Sequence, residues 1–156
     1  QIELLGVLIV VRAIRRKTMT NCCSSQNKEP AHPKKYKCPV NGKSYNSVSS
    51  TTILHHINEP WNWHNKEQGY YFCEDPDCSV VYFGEDDSTI NKSSLRTEVG
   101  IKENNSNSLI CYCFGVTKSA SSSSSIKDFV VNSTKNKKCS CVTSNPSGRC
   151  CLKDFN

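Results

Sequence analysis

Cysteines are the side chains of this chain whose type and spacing are best suited to chemistry, and there are 11 of them among 156 residues. More than half lie in the C-terminal third, at alternate or adjacent positions: Cys111, Cys113, Cys139, Cys141, Cys150 and Cys151. Two irons bridged by two sulfides need four thiolates, two on each iron. Alternate residues of an extended segment can point both sulfurs to the same side. The spacing therefore predicts a [2Fe–2S] site, and a zinc site with the same donors is the alternative.

Four of these cysteines are predicted as the cluster ligands. They are Cys111, Cys113, Cys141 and one member of the adjacent pair Cys150 and Cys151, whose side chains point in different directions. An Asn-Pro-Ser-Gly turn at 145–148 can return the chain beside Cys141, because Gly148 tolerates positive φ. The N–H groups of such a turn can donate to cluster sulfurs, and Arg149 can offset the negative charge of the cluster. Cys139 is left without a ligand role.

A second set of cysteines, Cys38, Cys73 and Cys78, predicts a zinc site. The CEDPDC segment is a tight loop between two predicted strands, and it aims the last two sulfurs at one point. Zinc takes four ligands in a tetrahedron, so one ligand must come from elsewhere. His56 is the predicted fourth ligand. The other candidates are His55, Asp75, Asp77 and water. Three buried cysteines that pack as small apolar side chains are the alternative to a metal site.

The number and placement of the cysteines favour metals over disulfides. An odd number cannot pair completely within one chain. Adjacent cysteines, as at 22–23 and 150–151, are strained as an internal bridge. The pair at 22–23 belongs to a polar tail, where exposed free thiols are expected and a soft-metal site is the alternative.

The charge and the N-terminal segment restrict the partners of the chain. The formal net charge of +6 comes from scattered cations, so a solvated surface is favoured over nucleic-acid binding. Residues 2–14 form an apolar run shorter than the ~20 residues that span a bilayer, and basic residues follow it rather than precede it. Residues 1–18 are therefore expected to be an extension. We predict a cytoplasmic protein without a membrane span or a nucleic-acid partner.

Local patterns predict an α+β fold with two small lobes. Asn41-Gly42 is a hairpin turn that pairs strands at 35–40 and 43–49, and aromatic or β-branched runs predict strands at 70–72 and 79–83. A short helix through His56 is expected to be capped by Thr51 or Thr52. The serines at 121–125 are poor helix formers, so a loop is expected before a helix capped by Ser125. The predicted boundaries are a tail at 1–34, a β-rich zinc lobe at 35–103 and a helical [2Fe–2S] lobe at 109–156.

Several sequence blocks together resemble a known family. These are CPVNGK at 38–43, YYFCEDPDCSVVYF at 70–83, LRTEVGIKE at 95–103, CYCFGVT at 111–117 and CVTSNPSGRCC at 141–151. They are similar to the N-terminal domain of CopZ-type copper chaperones, and the C-terminal half also resembles the [2Fe–2S] domain of bacterioferritin-associated ferredoxins. The resemblance implies one zinc, held with Cys38, Cys73 and Cys78. It also implies one cluster, held by Cys111, Cys113, Cys141 and Cys151.

The function expected from these observations is metal homeostasis of the copper type. The cluster would exchange single electrons, for example to reduce Cu²⁺ before a metal chaperone or a transporter takes it, and free thiols would hold Cu⁺ transiently. This function is expected without a fused heavy-metal-associated domain. The alternatives are a ferredoxin-like electron-transfer module with a redox partner protein and a non-redox zinc-binding interaction protein. No catalytic triad or nucleotide-binding motif indicates an enzyme. A metal-ion reductase activity would be the exception.

Overall fold

The computed structural model describes residues 32–155, and its first part is built on an antiparallel sheet. Five strands lie side by side in chain order: β1 (Lys35–Lys37), β2 (Ser44–Val48), β3 (Tyr70–Phe72), β4 (Val80–Gly84) and β5 (Thr89–Asn91). Every neighbouring pair is antiparallel. The strands predicted at 70–72 and 79–83 are therefore confirmed as β3 and β4.

The β1–β2 hairpin turns where the Asn-Gly pair predicts it. Lys37 pairs with Ser44 across the hairpin, and the Gly42 amide donates to the Cys38 carbonyl oxygen at 2.9 Å. Gly42 has a φ of +70°, a left-handed conformation that glycine adopts without a Cβ penalty. The turn fixes Cys38 directly after the first strand.

Helix α1 (Ser50–His56) follows the hairpin and begins earlier than its sequence predicts. Ser49 is the N-cap, because its backbone is extended and its Oγ accepts from the Thr52 amide at 3.2 Å. The expectation of Thr51 or Thr52 as the cap is wrong. Neighbouring serines and threonines cap almost equally well, so propensity alone does not choose among them.

The two faces of the sheet bury different apolar clusters. Tyr70 and Phe72 of β3 pack in one cluster with Ile53 of α1, while Tyr71 between them packs in the other. This alternation follows from the two-residue period of a strand. The second cluster consists of Cys38, Tyr45, Tyr71, Cys73, Cys78, Val80 and Phe83. Three cysteines thus lie inside an aromatic core.

The second part of the chain is a small hairpin covered by helices. Its strands are β6 (Leu109–Cys111) and β7 (Val116–Thr117), and its helices are α2 (Ser124–Lys135) and α3 (Cys141–Ser144). Helix α2 begins inside the serine run with Ser123 as its cap, so the expectation of Ser125 is wrong. A 3₁₀ turn at Ala120–Ser122 occupies the expected loop. The mixed helix and sheet composition of the prediction is confirmed.

A 3₁₀ turn at Gly100–Lys102 packs the two parts against each other. A Cβ added to Gly100 would lie 1.9 Å from the Leu109 carbonyl oxygen of β6, so only glycine allows this approach. The Gly100 amide also donates to the Tyr112 hydroxyl at 2.7 Å. Within residues 32–155, no helix has the length and apolar character needed to cross a membrane.

Candidate metal centres

The structure brings together the three cysteines predicted for zinc. Cys38 follows β1, Cys73 follows β3 and Cys78 precedes β4, and their Sγ atoms all lie within 4.8 Å of one another. All three side chains are buried. Thiolates on one tetrahedral metal at ~2.3 Å would lie about 3.8 Å apart, so this donor set fits a zinc ion that draws a fourth ligand from elsewhere.

Backbone hydrogen bonds hold the three sulfurs in place. The Cys38 amide donates to the Lys43 carbonyl oxygen at 2.9 Å, and the Cys73 amide donates to that of Val81 at 2.9 Å. The Cys78 amide closes the loop by donating to the Asp75 carbonyl oxygen at 3.2 Å. Burial raises the pKa of Cys78, and the neighbouring Cys73 and Cys38 raise it further. A metal cation would relieve that crowding of sulfurs by binding them as thiolates.

Two donors that the sequence did not single out face Cys73. The Asn41 amide nitrogen lies 3.6 Å from its Sγ and also donates to the Tyr45 hydroxyl at 2.9 Å and to Asp75 Oδ2 at 3.1 Å. Lys102 Nζ lies 3.7 Å from the same sulfur. A lysine at the end of a charged block reads as a surface residue, so its burial has no signal in the sequence.

His56 lies apart from the three sulfurs. Its side chain is 3% exposed on α1, and it is not a member of the cysteine group. Its Nδ1 is 2.9 Å from Thr97 Oγ1, and its buried Nε2 has no hydrogen-bond partner among residues 32–155. Burial lowers the pKa of His56 to about 4, with a smaller contribution from His55. Its role as the fourth zinc ligand stays a prediction.

The cysteines predicted for the cluster meet in pairs from distant parts of the chain. Cys113 Sγ lies 3.7 Å from Cys141 Sγ, and the thiol of Cys111 interacts with that of Cys151. The 3.7 Å separation matches two thiolates that share one tetrahedral metal. Each cysteine of the C-x-C pair thus contacts one cysteine from the C-terminal stretch.

Burial and the neighbouring thiols both raise the pKa values of Cys151 and Cys141. Burial raises the pKa of Cys151, and the Cys111 thiol raises it further. Burial likewise raises the pKa of Cys141, with Cys113 as its next cause. Thiols held neutral at such close range are poised to lose their protons to a bound cation.

The remaining two cysteines of this region are more accessible. Cys150 is exposed and Cys139 is half-buried, whereas the adjacent Cys151 is only 2% exposed. This difference favours Cys151 over Cys150 as the fourth member of the set. Cys22 and Cys23 lie outside the described residues.

The turn at 145–148 is ordered by its own side chains. Asn145 Oδ1 accepts from the Ser147 amide and hydroxyl, both at 3.0 Å, and Gly148 has a φ of +66° as its sequence predicts. The Ser140 amide, not one from this turn, donates to Cys113 Sγ at 3.3 Å. Arg149 lies 3.9 Å from the Glu74 carboxylate, and this ion pair partly neutralises the positive charge of the arginine.

Comparison with known proteins relates this chain to one family. Residues 35–96 match the CopZ-type family described as a zinc binding domain. The copper chaperone CopZ of Archaeoglobus fulgidus is 34% identical over 119 residues, which are 74% of this chain and 57% of that protein. The X-ray structure of the Archaeoglobus fulgidus CopZ N-terminal domain matches with a TM-score of 0.60 and 34% identity, over 76% of this chain and 94% of that domain. The chain thus spans little more than half the length of the curated relative.

Proposed function

This chain belongs to the CopZ-type family through its likeness to the CopZ N-terminal domain, and from that premise we propose that it is a two-metal redox protein of copper homeostasis. The zinc lobe at 35–103 stabilises the fold, and the lobe at 109–156 exchanges electrons with copper as cargo. The partner that receives the copper is a metal chaperone or a transporter. The proposed location is cytoplasmic.

Zinc is assigned to Cys38, Cys73 and Cys78. Their convergence within 4.8 Å in an apolar core supports this assignment, as does the family description of residues 35–96. When bound, zinc would supply no redox chemistry and would tie β1, β3 and β4 together. Water or a nearby side chain completes the four ligands.

A [2Fe–2S] cluster is assigned to Cys111, Cys113, Cys141 and Cys151. When bound, it would supply one-electron exchange, enough to convert one Cu²⁺ into one Cu⁺. Cys113 and Cys141 are half-buried, whereas Cys111 and Cys151 are buried. Cys113 and Cys141 therefore lie on the side of the site that is nearer to solvent.

The cargo ion is received by thiols outside the cluster set. Cys150 is exposed and directly precedes Cys151, while the half-buried Cys139 lies two residues before Cys141. Each accessible thiol thus lies near one proposed cluster ligand. Soft thiolates favour Cu⁺ over harder ions, so these positions suit the product of a one-electron reduction.

The observation that carries the proposal is the meeting of Cys113 and Cys141 at 3.7 Å across 28 residues of sequence. The test is anaerobic purification followed by iron, sulfide and zinc analysis with visible absorption. We expect two irons, two sulfides and one zinc per chain. After reduction by a chemical donor and its removal, Cu²⁺ should be reduced to Cu⁺ with one electron lost per cluster. A colourless protein that contains only zinc would contradict the redox function.

A further inference from the structure

Lys102 is a buried lysine whose ammonium ends in the three-cysteine site. Its side chain is only 4% exposed. Its Nζ donates to the carbonyl oxygens of Asp75 at 2.6 Å and Cys78 at 2.9 Å, and the third neighbour is Cys73 Sγ at 3.7 Å. All three partners belong to the loop that presents two of the sulfurs.

Lys43 and, more weakly, Lys102 lower the pKa of the Asp75 carboxyl, and Lys43 is the residue that pairs with it. Within residues 32–155, no ion pair includes Lys102. Asp75 Oδ2 is instead paired with Lys43 Nζ at 2.7 Å. A buried ammonium without a paired anion is costly, and the Cys73 sulfur at 3.7 Å is placed to balance it together with the Asp75 carboxylate. The aromatic side chains around the site strengthen this attraction, because they exclude water.

The charges of the three-cysteine site do not cancel when it holds a divalent metal. Three thiolates carry three negative charges and a divalent cation returns two, so the loaded site is left with one negative charge in an apolar core. We propose that Lys102 is a positioning residue of this site, which balances that charge and holds the Cys73–Cys78 loop in its binding conformation. The inference rests on the proposed zinc assignment and adds a group outside the ligand set.

Asn41 supports the same sulfur from the turn between β1 and β2. Its amide nitrogen lies 3.6 Å from Cys73 Sγ, while its Oδ1 accepts from the Lys43 amide at 3.0 Å. With its oxygen engaged, this side chain presents a donor rather than a ligand to the site. Cys73 is therefore surrounded by two N–H donors, and one of them carries the balancing charge.

The test compares zinc affinity in variants that keep or remove the charge. The zinc dissociation constant would be measured anaerobically by competition with a chromogenic chelator in the whole chain, with Co²⁺ absorption as a separate probe of thiolate ligation. Lys102→Gln keeps a donor for the loop carbonyls, Lys102→Met suits burial, and Lys102→Arg keeps the charge. Lys92→Gln is the matched control, because Lys92 pairs with Glu103 beside Lys102 and is half exposed.

Both neutral variants should bind zinc about 10- to 100-fold more weakly, as is typical when a residue that hydrogen-bonds to a metal ligand is removed. The arginine variant should recover most of the lost affinity. Lys92→Gln should match the unmodified protein. Wild-type affinity in a folded neutral variant would overturn the inference, and so would an arginine variant as weak as the neutral ones. Absence of zinc binding in the unmodified protein would instead contradict the zinc assignment itself.

Discussion

The Tyr82 hydroxyl donates a 2.7 Å hydrogen bond to the Pro146 carbonyl oxygen. Tyr82 is fully buried on β4, and Pro146 lies in the turn that carries the chain from Cys141 back to Cys151. The bond therefore ties the central sheet to the segment that supplies half of the proposed cluster ligands. A second tie joins Lys153 to Glu74 at 3.2 Å, and Glu74 follows Cys73 directly. These two contacts thus link the segments that carry the two candidate metal centres.

Tyr82→Phe should destabilise the fold and weaken cluster retention. The substitution leaves the buried Pro146 carbonyl without its donor, which costs about 1–3 kcal/mol in the free energy of unfolding. Urea unfolding at fixed metal content would measure this loss, and the decay of visible absorption would measure cluster release.

Tyr36→Phe is the control for this prediction. Its hydroxyl donates to the Glu85 carbonyl oxygen at a long 3.5 Å, so removal should change the stability by less than about 0.5 kcal/mol. Equal effects of the two substitutions would contradict a special role for the Tyr82 bond.

The adjacent cysteines at 150–151 provide a matched pair of substitutions. Cys151→Ser should abolish the visible absorption of the cluster, because Cys151 is buried beside Cys111. Cys150→Ser should leave the absorption and the iron content unchanged, since Cys150 is exposed. Iron and sulfide analysis after anaerobic purification measures both outcomes. Loss of the cluster in the Cys150 variant alone would reverse the assignment.

Local signals of the sequence predicted much of the first lobe and fewer features of the second. The Asn41-Gly42 turn and the aromatic strand at 70–72 are confirmed, because turn geometry and strand propensity act over a few residues. The N-cap residues predicted for α1 and α2 are wrong, since several neighbouring serines or threonines satisfy the same local rule. The remaining features of the fold depend on contacts between residues that are far apart in sequence.

The candidate sites show the same division between local and long-range information. Cys73 and Cys78 share one short loop, so their convergence follows from spacing. The surroundings of His56 and Lys102 depend on segments 24 to 89 residues away in sequence. No pattern within a single segment encodes which of those segments will meet. The burial of Lys102 is therefore a consequence of tertiary packing alone.

The stability should fall as the pH drops below neutrality because of His56. Burial lowers the pKa of His56 to about 4 in the folded protein, against ~6.5 in the unfolded chain. The unfolded state therefore binds more protons between these values, so this contribution is fully present above about pH 6.5 and is lost as the pH falls toward 4. The total effect is on the order of 3 kcal/mol.

His56→Gln isolates this contribution from acid release of the metals. Protonation of metal-binding thiolates affects both proteins, so the difference between their unfolding free energies at pH 7.5 and pH 5 reports the histidine. The unmodified protein should lose more stability over this interval than the variant. The same variant tests His56 as a zinc ligand, because zinc content should stay at the wild-type level unless the ring binds the metal.

Gly100→Ala should damage the junction between the two parts of the chain. Its Cβ would lie 1.9 Å from the Leu109 carbonyl oxygen, and this backbone atom cannot move without displacing β6 and Cys111. Overpacking of this kind costs about 1–3 kcal/mol, and we expect the upper end of that range together with faster loss of the cluster.

Gly42→Ala distinguishes contact from conformation at this junction. Gly42 has a φ of +70° but no atom within 4 Å of an added Cβ, so alanine there costs only backbone strain of about 1 kcal/mol. Urea midpoints and the rate of cluster loss would be compared for the two variants. Because Gly42 lies in the first hairpin, its substitution should leave the rate of cluster loss unchanged, whereas Gly100→Ala should raise it. Equal rates would show that the contact at Gly100 does not support the cluster ligands.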